Sequence, residues 1–305
     1  MGDGRTGGRE VAAELLAVVV AMVDGPPCVL TLGDPARLPA GPLMPGQHSL
    51  QAATRDWVED QTGRALGYLE QLYTFVDLDR AGGQGLSVSY LGLTTAGASP
   101  SGIGAWQRIY ELLPWEDLRG GSGLPTSIEA ALRAWAAADP AEADARRQRC
   151  AITFGLDGAA WQSDLVLQRY ELMYEVGLVP ESPAAWRLGE DRLAPGHRML
   201  GDHRRVLATG LARLRAKIQY RPVVFELLPA QFTLRQLQDC VEALAGTAVH
   251  TQNFRRLVEQ QQLVEETGGV DSATGGRPAR LYRFRREVLQ QRHEAGTKLP
   301  LPRVR

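Results

Sequence analysis

Thr233–Arg285 reads TLRQLQDCVEALAGTAVHTQNFRRLVEQQQLVEETGGVDSATGGRPARLYRFR, and the order of its signals decides the C-terminal architecture. Thr233 stands where a helix N-cap belongs, Leu234, Leu237, Val241 and Leu244 follow at helical spacing, and Gly246 supplies the stop. A short turn leads to a second helix from Thr251, with Phe254, Leu257 and Val258 on its inner face. Leu263–Thr267 reads as a strand, 268–276 as a Gly-rich loop and Leu281–Arg285 as the return strand. Helix, tight turn, helix and β-hairpin is the pattern of a winged helix-turn-helix.

The second helix then carries base-reading chemistry where a recognition helix needs it. Thr251, Gln252, Asn253, Arg255 and Arg256 occupy its first turns. Gln and Asn can pair bidentately with adenine and Arg with guanine. Arg277 and Arg280, at the return of the hairpin, lie where a wing crosses the backbone or enters the minor groove. Thr233, opening the first helix, completes the candidate DNA-contacting set. Two blander readings compete: solvated charges on a small domain, and a winged helix used for protein contact.

Charge is distributed to match. Residues 1–200 hold 16 Lys+Arg against 25 Asp+Glu, a net of −9, whereas 201–305 hold 18 against 10, a net of +8. The overall −1 hides a polyanion-seeking end and an acidic front. Cysteines 28, 150 and 240 are scattered and odd in number, which suits a reducing cytosol and gives neither a disulfide framework nor metal spacing. Leu15–Val23 is too short an apolar run to span a bilayer, and it follows acidic rather than basic residues. A cytoplasmic chain without membrane association is expected.

Further forward, Leu15–Val23 and Cys28–Leu32 read as a hairpin turning at Asp24-Gly25-Pro26-Pro27. Ser49 caps a helix over roughly 50–61, with Leu50, Ala53, Trp57 and Val58 inward and Gly63 as its stop. Leu66–Val76 and Leu86–Thr94 read as strands, giving an α+β pattern. From about 98 to 200 the texture turns helical, at Trp106–Leu113, Ser127–Ala137 and Asp164–Val176; its tryptophans are expected in its core. Asp202 caps a long closing helix over 203–219. Its polar face carries Arg204, Arg205, Arg213, Arg215 and Lys217, candidates for phosphate contacts or simply solvated charges.

The 41–63 segment has the spacing of a Nudix box, with Gly41, Gln47 and then Arg55-Asp56-Trp57-Val58-Glu59-Asp60-Gln61-Thr62-Gly63. Its chemistry departs from that box. Two positions that would be Glu are Asp56 and Asp60, the upstream Glu is Gln47, and the last Gly has slipped by one, leaving Glu59 alone intact. A clustered Glu set is what holds divalent cations against a pyrophosphate, so efficient hydrolysis is not expected. No catalytic residue or metal ligand is assigned. Arg55, Asp56, Glu59 and Asp60 become candidates for binding a nucleotide in a leftover cleft; the polar face of a surface helix is the competing reading.

The combination resembles the Nudix-related transcriptional regulators of the NrtR type, and in its long helical insertion the alphaproteobacterial NadQ-type regulators of NAD synthesis. The stretches that carry the resemblance are Gly67–Phe75, Ala216–Tyr220, Phe225–Pro229, Asn253–Arg256 and Gly276–Tyr282. The resemblance implies a Nudix-like α/β/α sandwich over 1–220, with an insertion at about 98–200, and a winged helix-turn-helix over 221–305. It further implies a homodimeric repressor of NAD-biosynthesis genes that binds a double-stranded operator and senses NAD, ADP-ribose or ATP, with no required cofactor. The alternative is a magnesium-dependent Nudix hydrolase of ADP-ribose or a related nucleoside diphosphate derivative.

Overall fold

Leu15–Ala21 is apolar at every position, and successive side chains of a strand face opposite sides, so this run needs both faces covered. The computed structural model describes residues 12–44, 46–63, 65–78, 84–95, 104–121, 123–187, 189, 192–219, 221–271 and 278–285. In it, strand β1 (Ala12–Met22) lies in the middle of a mixed sheet. It pairs antiparallel with β2 (Pro27–Leu32) and β3 (Ala40–Pro42), and parallel with β5 (Gln84–Leu93). Strand β4 (Tyr68–Leu78) adds to β5, and β6 (Gly104–Arg108) to β2, in the order β4-β5-β1-β2-β6.

Alternate residues of β1 enter different layers. Leu15, Ala17 and Val19 pack with Ala53 and Val58 of helix α1 (Leu50–Thr62). Val18 and Val20 pack with Leu207, Leu211 and Leu214 of helix α6 (His203–Ile218). Gly210 lets α6 lie directly on the sheet, since a Cβ there would come within 2.8 Å of a Val18 methyl. The α/β/α sandwich follows from that double coverage. Ser49 caps α1 by accepting from the Ala52 N–H, and Gly63 closes it in the left-handed conformation.

The segment between sheet and α6 differs from its sequence reading at two places. Trp106–Arg108 is strand, not helix, because Leu30↔Trp106 and Cys28↔Arg108 pairing recruits it to the sheet edge. Helical structure begins only with α2 (Ile109–Leu112) and a short 3₁₀ turn at Pro114–Glu116. Beside α3 (Thr126–Ala137) and α5 (Val166–Val176) stands α4 (Ala143–Phe154), whose Asp144-Ala145-Arg146-Arg147-Gln148-Arg149 opening gave no apolar stripe to read. Of the tryptophans, Trp115 is fully buried, whereas Trp186 is 79% exposed.

Helix α6 also corrects an expectation. Asp202 occupies its N-cap position without a side-chain cap bond. Arg204, Arg215 and Lys217 are not a solvated face but are buried in ion pairs with Glu181, Glu116 and Glu70. They cannot reach DNA phosphates. The reason is that α6 is enclosed by the sheet on one side and the insertion on the other. Arg205 pairs with Glu171 at the surface, and Arg213 is exposed.

Helices α7 (Leu234–Ala245) and α8 (Thr251–Gln260) and strands β7 (Val264–Asp271) and β8 (Ala279–Phe284) complete the chain's described elements. Their core is continuous with that of the insertion and α6, running from Val18 through Trp115 and Leu214 to Leu244 and Phe254.

Candidate nucleic-acid interface

Helix α7 begins with a capping box. The Thr233 hydroxyl accepts from the Gln236 N–H at 3.1 Å, and the Gln236 side chain accepts from the Thr233 N–H at 2.7 Å. With its hydroxyl used there and the residue buried, Thr233 is withdrawn from the contact set; it fixes where α7 starts. Gly246 ends the helix at φ 69°.

The turn into α8 is stapled from α7. The Glu242 carboxylate accepts from the Val249 N–H at 3.0 Å, and the Gln238 amide donates to the Val249 carbonyl and to the Thr251 hydroxyl. Phe254 and Val258 anchor α8 inward, both essentially inaccessible to solvent. That anchoring turns Thr251, Gln252, Asn253, Arg255 and Arg256 outward, all exposed. Neither arginine forms an ion pair with a described residue. No side chain caps α8, so its first-turn N–H groups retain capacity for an anion.

The β7–β8 hairpin packs through Phe284, which stacks on Phe225 at 4.2 Å, and through reciprocal backbone bonds between Tyr282 and Phe232. Its arginines are paired: Arg280 with Glu266 at 2.7 Å and Arg283 with Glu265 at 2.5 Å. The hydrogen bond from Arg280 holds the Glu266 carboxyl below its ordinary range. Arg280 keeps its other guanidinium N–H groups on a largely exposed side chain, so a phosphate could be met beside the carboxylate. Arg277 lies outside the described residues.

On the sheet domain, the box residues take different roles. Arg55 donates to the carbonyls of Leu66 and Gly67, tying α1 to the start of β4, which makes it a structural brace. Asp56, Glu59 and Asp60 are exposed, and no group of three potential ligands among the described residues could hold a metal ion. Gln47, in the upstream Glu position, accepts from the Met44 N–H instead. The acids present thus do not fit the divalent cation site of a working Nudix box.

Trp57 fills the box from within. Its indole N–H donates to the Pro42 carbonyl at 3.1 Å, and its ring covers Gly41 so closely that any Cβ there would overlap it. Gly41→Ala should cost about 1–3 kcal/mol through overpacking. Combining it with Trp57→Leu should cost less than the two changes summed; strictly additive losses in urea titrations would show that Trp57 does not press on Gly41.

The sequence reading missed the Gln238–Glu242 staple, although the i, i+4 spacing of two polar residues beside Gly246 was visible. It also missed a buried ionic cluster. Glu116 takes Arg169 on Oε1 (2.7 Å) and Arg215 on Oε2 (2.6 Å), all three side chains fully buried.

The described chain is thus a sheet sandwich whose α1 has the spacing of a Nudix box, followed by a winged helix with a cationic, outward-facing second helix. Residues 224–284 match the family model of the NrtR DNA-binding winged helix domain. The ADPR responsive transcriptional repressor NtrR of Acinetobacter baylyi is 40% identical over 83 residues, 27% of this chain and 33% of that protein; the match therefore spans about a third of the relative. Shewanella oneidensis NrtR complexed with a 27mer DNA superposes with a TM-score of 0.57 at 20% identity, covering 91% of this chain and 95% of that one. A MutT/nudix family protein from Enterococcus faecalis gives 0.53 at 16% identity, covering 90% and 87%. The chain therefore shares the fold of these two proteins over most of its length, and its residues 224–284 match the NrtR DNA-binding winged helix domain.

Proposed function

We propose that this chain is a sequence-specific transcriptional repressor of NAD-biosynthesis genes, acting as a homodimer in the cytoplasm and responding to an NAD-pathway nucleotide. The observation that carries the reading is α8, whose Gln252, Asn253, Arg255 and Arg256 are exposed on a helix anchored by buried Phe254 and Val258. The curated relative is named for its response to ADPR, which favours ADP-ribose over NAD or ATP as effector. A two-fold dimer would place two α8 helices in successive major grooves of a near-palindromic operator. The nucleotide acts only in so far as it binds two arrangements of the dimer with different affinity. Asp56, Glu59 and Asp60 line the surface of α1 where such a ligand would lie, and Arg55 contributes by bracing that helix.

Gel shifts on NAD-synthesis promoters, with and without ADP-ribose, NAD and ATP, test this reading. Arg255→Ala and Arg256→Ala should each cost on the order of 1–3 kcal/mol, with relaxed preference at one operator position. Affinity should fall steeply with salt as counterions are released; flat salt dependence and unaltered variants would refute it. The hydrolase alternative requires magnesium-dependent turnover of ADP-ribose that Glu59→Gln abolishes. The shorter Asp56 and Asp60 in place of Glu, and Gln47 in the upstream Glu position, argue against that outcome.

A further inference from the structure

The last carbonyls of a helix have no partner within it and must be satisfied from elsewhere. At the C-terminal end of α7 those partners come from outside the winged domain. The Tyr110 hydroxyl donates to the Ala243 carbonyl at 2.5 Å, the Arg215 Nε–H donates to the Leu244 carbonyl at 2.8 Å, and the Leu118 N–H donates to the Gly246 carbonyl at 2.7 Å. Tyr110 belongs to α2, Leu118 follows the 3₁₀ turn, and Arg215 lies on α6.

Arg215 is itself immobilised. Its Nη1 donates to Glu116 Oε2 and the Ser163 carbonyl, and its Nη2 to the Glu116 carbonyl and the Tyr110 hydroxyl. With Nε, every guanidinium N–H is committed. A fixed cation at a helix C-terminus is also favourable to the helix dipole.

We propose that Tyr110 and Arg215 are positioning residues for DNA recognition: they grip the end of α7 and so set where α8 stands relative to the sheet domain. The proposal rests on the DNA-binding reading of α8. Transmission is short. The turn after Gly246 is stapled to α7 by Glu242 and Gln238, and Gln238 reaches Thr251 in the first turn of α8. A shift at Ala243–Gly246 therefore moves Gln252 and Asn253 with it. In a dimer, the same grip sets the separation of the two recognition helices.

The test uses the full chain in wild-type, Tyr110→Phe and Arg215→Lys forms, with Arg147→Ala, an exposed arginine paired to Asp144, as control. Two quantities are read: hydrogen-exchange protection of amides 247–254, and affinity for the best duplex selected from a randomised pool relative to a random-sequence duplex. Tyr110→Phe removes one hydroxyl and should keep the fold. It should lower protection and reduce the affinity ratio about three- to tenfold, the factor one lost hydrogen bond carries, with Arg215→Lys losing more. Unchanged protection in both variants, or specific and random-duplex binding falling in parallel with thermal stability, would overturn the proposal. Should the wild type ignore every duplex, the DNA-binding reading falls, while the exchange arm still decides whether Tyr110 and Arg215 hold α8.

Discussion

Glu116→Gln is expected to destabilise the protein by about 3–5 kcal/mol, because removing one partner of a buried ionic cluster leaves the others charged and unmatched. Glu116 is fully buried and takes two guanidinium groups, Arg169 at 2.7 and 2.8 Å and Arg215 at 2.6 Å. The arginines' remaining N–H groups go to the carbonyls of Thr153, Gln162, Ser163 and Leu244, among others, so the cluster has no slack to absorb a lost charge. A glutamine keeps the shape and one acceptor oxygen, but its NH2 group faces a guanidinium where a carboxylate oxygen accepted, and the negative charge is gone. Equilibrium urea unfolding at neutral pH measures the loss; a midpoint within error of wild type would sink the account. Removing a second charge as well, in Glu116→Gln with Arg169→Met, should recover part of the deficit if orphaned cations are its cause.

The same cluster gives a sign for acid unfolding. Burial alone would raise the Glu116 carboxyl, but Arg169 and Arg215 outweigh it and hold it below its ordinary range. A carboxyl depressed in the folded state stabilises that state at neutral pH and above its unfolded value, and the contribution disappears as pH falls toward the folded one. Wild-type stability should therefore drop below the usual carboxylate range. The Glu116→Gln variant, already lacking the contribution, should show a shallower acid limb.

Where the sequence was readable, the determining forces were local. Thr233 and Gly246 bracket α7 because a cap and a left-handed stop act within a few residues, and Phe254 with Val258 orients α8 for the same reason. Leu15–Val23 and Cys28–Leu32 were legible as paired strands because the turn that joins them lies between the two runs. The failures share the opposite character. Arg204 and Arg215 looked like a polar face because their carboxylate partners stand 23 and 99 residues away. Trp106–Arg108 became strand only because β2 offers it an edge. Arg55 was placed at a ligand, yet its guanidinium is taken by carbonyls just beyond the helix it belongs to. Charge on a helix face says nothing by itself about whether water or protein will solvate it.

Gly246→Ala is expected to cost about as much as the loss of Glu116, and for separable reasons. At φ 69° an alanine pays roughly 1–2 kcal/mol for left-handed backbone. Its Cβ would also overlap the Glu116 carbonyl and come within 2.7 Å of Arg215 Nη2. Backbone cannot step aside as a flexible side chain can, so about 1–3 kcal/mol of overpacking adds to the strain. Gly121 separates the two contributions, since it has φ 70° but nothing within 4 Å of where its Cβ would stand. Gly121→Ala should therefore cost the backbone part alone, and the difference between the two variants reports how tightly α7 is seated on the Pro114–Glu116 turn. Equal losses in urea unfolding would mean that this seat yields. The Glu116 carbonyl would then be no fixed floor beneath the turn into α8.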